Sequence, residues 1–152
     1  MSYIVFSMLF IVIHTVSYTL AGIIALKVSK DLYENKQRII DYLRDMSVKE
    51  ESRHVEKWFL PAQLARGALM SVVLYPILGM LGEVSFVMRA LFLGGLMFVY
   101  TDFACAVPFP HNIEGFVYMK PRYIRGNASA KLYLEMLIYS VIFGLAAGWF
   151  LF

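Results

Sequence analysis

Four long apolar stretches, separated by one extended charged block, a short turn and a mixed loop, set the pattern of this chain. The first covers residues 3–26, an unbroken run whose polar members are only Ser7, His14, Thr15, Ser17, Tyr18 and Thr19. As a helix at 1.5 Å per residue it reaches about 36 Å, enough to cross a hydrocarbon core of about 30 Å with some tilt. Further stretches follow at 61–79, 84–107 and 132–152. This pattern predicts an all-α membrane protein, a single domain over 1–152 built as an antiparallel bundle of four transmembrane helices. Pro61 suits the first turn of the second span. Tyr75-Pro76 should kink or end that span. Gly79-Met80-Leu81-Gly82-Glu83 reads as a tight turn.

The block at 27–60 breaks the apolar pattern abruptly. Val28, Leu32, Ile39, Leu43 and Met46 recur at helical spacing, so the first span is expected to continue out of the membrane as an amphipathic helix. Ser47-Val48-Lys49-Glu50 has the form of a capping box and would start a second arm. The expectation is a cytoplasmic helical hairpin, whose apolar stripe must lie on lipid, on its own second arm or on a partner protein.

Composition supports this reading. Hydrophobic residues make up 60% of the chain and charged residues 16%, against roughly 45–50% and 25% in a soluble domain. Eight of the fourteen basic residues and seven of the eleven acids fall within 27–58. Four more bases, Lys120, Arg122, Arg125 and Lys131, lie in the loop at 108–131, on the same side of the membrane. The opposite side has none outside a span. This asymmetry places both termini away from the cytoplasm. It also explains the pI near 9.0 without nucleic acid, which is not expected as a partner. The sequon Asn127-Ala128-Ser129 then falls on the cytoplasmic side and stays unmodified. The first apolar run lacks a basic leader and is too long for a signal-peptide core, so it is expected to be retained. Cys105 is the one cysteine, which excludes an intramolecular disulfide and a thiolate zinc site; a small apolar side chain is the simple reading.

Depth along the helices selects the residues with chemistry. Arg66, Asp102 and Glu135 each sit four or five residues from the cytoplasmic end of a span, about 6–8 Å below the boundary. A charge at a helix centre costs about 2.5–3.5 kcal/mol to insert, so Arg66 is expected to pair with Asp102, Glu135 or both. Beyond them comes a loop with Pro108 and Pro110, then His111, Asn112, Glu114 and Gly115, then Tyr118, Lys120, Arg122 and Arg125. It reads either as an interfacial anchor or as a site for a lipid or amphiphile. In the second case His111, Glu114 and Asp102 are the acid/base candidates, and Arg66, Glu135, Asn112, Tyr118 and the three basic residues line the binding site. No metal motif and no cofactor motif occurs. His14, near mid-membrane, is expected to bond a hydroxyl on a neighbouring helix, and Arg89 to reach outward to the headgroups. Ser140-x3-Gly144-x3-Gly148 permits close helix approach, with Gly94-Gly95 as a facing groove, in this chain or in a second copy.

Two functions follow from different classes. One is a non-catalytic membrane subunit or scaffold, binding partner protein or membrane lipid through its hairpin and loop. The other is a small integral membrane enzyme acting on a lipid or lipophilic substrate at the cytoplasmic leaflet. The first has precedence because no catalytic spacing is complete; a proton path through His14 is a distant third. A lipid-sized cavity opening between spans three and four, with His111 and Glu114 on its wall, would favour the enzyme.

Overall fold

The computed structural model describes residues 2–34, 38, 40–124 and 127–152; 79% of these are helical, and no strand occurs among them. Helix α1 (Tyr3–Val28) opens on Ser2, whose hydroxyl accepts from the Val5 amide. A one-turn α2 (Lys30–Tyr33) follows. Helix α3 (Lys49–Val73) runs continuously through Pro61, and after Leu74 the chain bends by 45° into 75–83, which contains α4 (Leu78–Glu83). Ser85 caps α5 (Phe86–Gly95), which continues as a π-helical stretch, Leu96–Phe103. Short α6 (Ile113–Tyr118) leads to α7 (Asn127–Phe150). Three helical segments (α1, α5 with its π continuation, and α7) are long and apolar enough to cross a membrane. The bent pair of α3 and 75–83 makes a fourth if it counts as one span.

The helices pack in the order α3, α1, α7, α5. Their sides are sorted the wrong way round for water. On α1 the buried face carries Phe6, Phe10, His14 and Ser17, so its polar groups point inward. The opposite face, Ile4, Met8, Val12, Val16 and Leu20, is aliphatic and exposed. A helix in a soluble domain does the reverse. Between α5 and α7 the backbones nearly touch: a Cβ on Gly144 would lie 2.5 Å from the Ala90 carbonyl oxygen, and one on Gly94 2.8 Å from that of Ser140. The small residues at 140, 144 and 148 therefore serve a contact within this chain, and Gly94 is its facing groove.

Several expectations need correction. The helical hairpin does not form. After α2 the described residues of 34–48 make turns, and only the second arm is helical, as the start of α3. The apolar stripe has found a fourth surface: Leu32 and Ile40 are fully buried against Ala128 and Leu132 of α7, with Leu43 and Phe109 beside them. Burying these side chains inside the molecule outweighs the weak preference for a continuing surface helix. Ile39 and Lys36 lie outside the described residues. The capping box is also absent. Val48 is the cap residue, and the Ser47 hydroxyl donates instead to Asp45 at 2.6 Å. Gly79 and Gly82 sit within α4, and the chain turns at Val84-Ser85, where the serine hydroxyl offers a helix start. Tyr75-Pro76 does end α3 as expected, and the last helix begins at Asn127, five positions before the expected 132.

Candidate functional site

A cavity of about 530 Å³ lies between α1, α3, the π stretch, the loop after it and the start of α7, with Tyr33, Leu43 and Met46 among its lining residues. Its size falls within the range usual for small-molecule sites. Arg66, Asp102 and Glu135 all line it, as their common depth requires. They do not pair with one another. The Arg66 guanidinium lies 5.4 Å from the centre of the Tyr18 ring and joins no ion pair among the described residues. Glu135 accepts a hydrogen bond from the Tyr33 hydroxyl at 2.7 Å. Asp102 is taken by His111.

That last contact has two local causes. The π-helical stretch ends with the Ala104 amide bonded to the Val99 carbonyl at 2.8 Å, one residue further back than in an α-helix, which turns the Asp102 side chain relative to α5. The prolines at 108 and 110 then reverse the chain, so His111 returns beneath Asp102. Its Nε2 lies 2.8 Å from each carboxylate oxygen. The ring is 4% exposed and meets Phe109 and Tyr133 edge to face, at 5.4 Å between centres in both cases. A carboxylate only accepts, so Nε2 carries a proton; in the neutral ring Nδ1 then presents a lone pair. Nδ1 is buried and has no hydrogen-bond partner among the described residues. A buried polar atom left unsatisfied costs about 1–3 kcal/mol.

Asn112 holds the loop in place. Its Oδ1 accepts from the Phe109 and Gly115 amides at 3.0 and 2.7 Å, while its Nδ2 donates to the Val107 and Cys105 carbonyls at 2.7 and 3.4 Å. All four bonding positions of the amide are occupied within the loop, and the residue also lines the cavity. Gly115 is sterically obligatory: a Cβ would lie 1.7 Å from the Phe109 carbonyl oxygen. The Ser129 hydroxyl ties the loop to α7 through the Pro110 carbonyl at 2.9 Å.

Other candidates lie elsewhere. Glu114 occupies the first turn of α6, half-buried and away from the cavity wall. Tyr118 and Lys120 are exposed. Arg122 is exposed too, lies against the Tyr123 ring and sits 3.8 Å from Asp41. Arg125 lies outside the described residues. His14 is fully buried, with Nδ1 2.7 Å from the Tyr139 hydroxyl and Nε2 3.2 Å from Gln63 Oε1, the hydroxyl partner expected for it plus one more. The Arg89 guanidinium lies 5.3 Å from the centre of the Phe152 ring.

Sequence reasoning missed Tyr33, the partner of Glu135. Burial first, and then the charge of Glu135, push the Tyr33 phenol well above its ordinary range, so its proton stays in the bond. Nothing in the charged block singles it out, because the contact spans 102 positions. Cys105 is also on the wall rather than packed away. Comparison of the chain with protein-family models, with curated proteins and with solved structures finds no match.

Proposed function

We propose that the chain is a four-span membrane protein, both termini away from the cytoplasm, and that it acts as a small enzyme performing acid–base chemistry on a lipophilic molecule held in the inner cavity. One observation carries the reading: the Asp102–His111 pair stands on the wall of a cavity that Arg66 also lines. In the proposed reaction His111 removes the proton of a hydroxyl or water as its oxygen bonds to an ester carbonyl carbon, Asp102 stabilises the imidazolium, and the proton passes to the alcohol oxygen as the ester C–O bond breaks. Arg66 polarises the reacting oxygen. The exposed aliphatic face of α1 and the inward-facing polar residues support the membrane location, and the distribution of basic residues supports the orientation.

The scaffold reading has less support. Leu32 and Ile40 of the stripe it needed are buried against α7, and the small-residue face of α7 is occupied by α5. The test is a lipid profile of membranes from cells producing wild type, His111→Gln, Asp102→Asn or Glu114→Gln at matched levels. Wild type and Glu114→Gln should shift the same lipid pool, and the other two should not. If the wild-type and His111→Gln profiles coincide, the enzymatic reading fails.

A further inference from the structure

The charges around the cavity define the chemical class of its occupant, given the reading above. Among the residues lining it, Arg66 is the one cation, Asp102 and Glu135 are the two carboxylates, and His111 contributes an imidazole. Both carboxylates already hold donors, His111 Nε2 and the Tyr33 hydroxyl. The guanidinium faces an aromatic ring and has no carboxylate bound to it among the described residues. We propose that the end of the molecule entering this cavity is uncharged and carries a hydroxyl or an ester carbonyl, so the substrate is a neutral lipid.

The alternatives fail on charge. A carboxylate or phosphate head would meet two carboxylates for one guanidinium, and protonation of His111 brings the sum only to zero. Such like-charge juxtaposition in a desolvated site costs several kilocalories. A cationic head would meet Arg66 and would have to share carboxylates that already accept from His111 and Tyr33. A hydroxyl or carbonyl oxygen, in contrast, can accept from Arg66 and brings no charge of its own. The basic side chains suited to a phosphate are off the wall: Lys120 is exposed, Arg122 is near Asp41, and Lys131 is paired with Asp31 at 2.5 Å. The apolar remainder of the lining, Leu26, Val55, Phe59 and Met136 among it, suits a hydrocarbon chain.

Binding of hexadecanol, methyl hexadecanoate, hexadecanoate, hexadecyl phosphate and hexadecylamine to the purified full chain in detergent tests this directly. The alcohol and the ester should bind at least about tenfold more tightly than the three charged probes. Arg66→Gln should weaken both neutral probes, and Glu135→Gln should narrow the gap for hexadecanoate by about tenfold. Equal or tighter binding of hexadecanoate or hexadecyl phosphate by wild type would overturn the proposal, as would failure of every probe to bind. The outcomes also separate this inference from the enzymatic reading. Neutral preference without a His111-dependent lipid change sinks only the chemistry. Carboxylate preference with such a change sinks only the neutral head.

Discussion

His111 is held by one strong contact and lacks another, and both facts have measurable consequences. Replacing Asp102 by Asn removes the charge from the 2.8 Å contacts while keeping the shape. It should cost about 2 kcal/mol, the difference a charged hydrogen-bond partner makes, seen as a lowered melting temperature in detergent. Glu114→Gln, away from the wall, should stay within about 0.5 kcal/mol of wild type. Gly115→Ala forces a methyl into the Phe109 carbonyl and should cost on the order of 3 kcal/mol in the same melt. At this scale the sequence was informative about depth and silent about partners. Counting from the span ends brought Arg66, Asp102 and Glu135 to one cavity, because the rise of a helix is constant. It could not reveal that an aromatic ring, a histidine and a tyrosine would intervene, since those contacts depend on how each helix is rotated about its axis.

Among the elements, α3 and the α5–α7 pair behave most simply. Pro61 lies inside α3 and supplies no amide to the ladder. Pro61→Ala should therefore raise the melting temperature or leave it unchanged, and a fall would mean that the proline has a packing role. Gly144→Val drives two methyls into the Ala90 carbonyl and the Gly94 backbone and should cost about 2 kcal/mol. The small-residue spacing of α7 was legible because close backbone approach demands it whichever helix is the partner. The hairpin at 27–60 was not. Its stripe has true helical period, but Leu32 and Ile40 gain more from the start of α7 and from Phe109 than from an extended surface helix. Periodicity reports that a face must be buried and says nothing about what buries it.

For the molecule as a whole, the proposed orientation predicts opposite labelling of two exposed positions. In a Cys105→Ala background, a membrane-impermeant maleimide should reach Arg53→Cys only from the cytoplasmic side and Glu83→Cys only from the other. Labelling of both from one side would remove the four-span arrangement. Sequence alone determined the helical class, the apolar segments and the level of the charged residues, because hydropathy and helical rise act locally and need no knowledge of neighbours. Tertiary structure alone decided that the loop at 108–112 folds back under the π-helical stretch and that Tyr33 reaches Glu135. It also left Arg66 against the Tyr18 ring on the cavity wall. Each of these depends on segments far apart in the chain meeting at fixed rotations, and a linear pattern does not encode rotation.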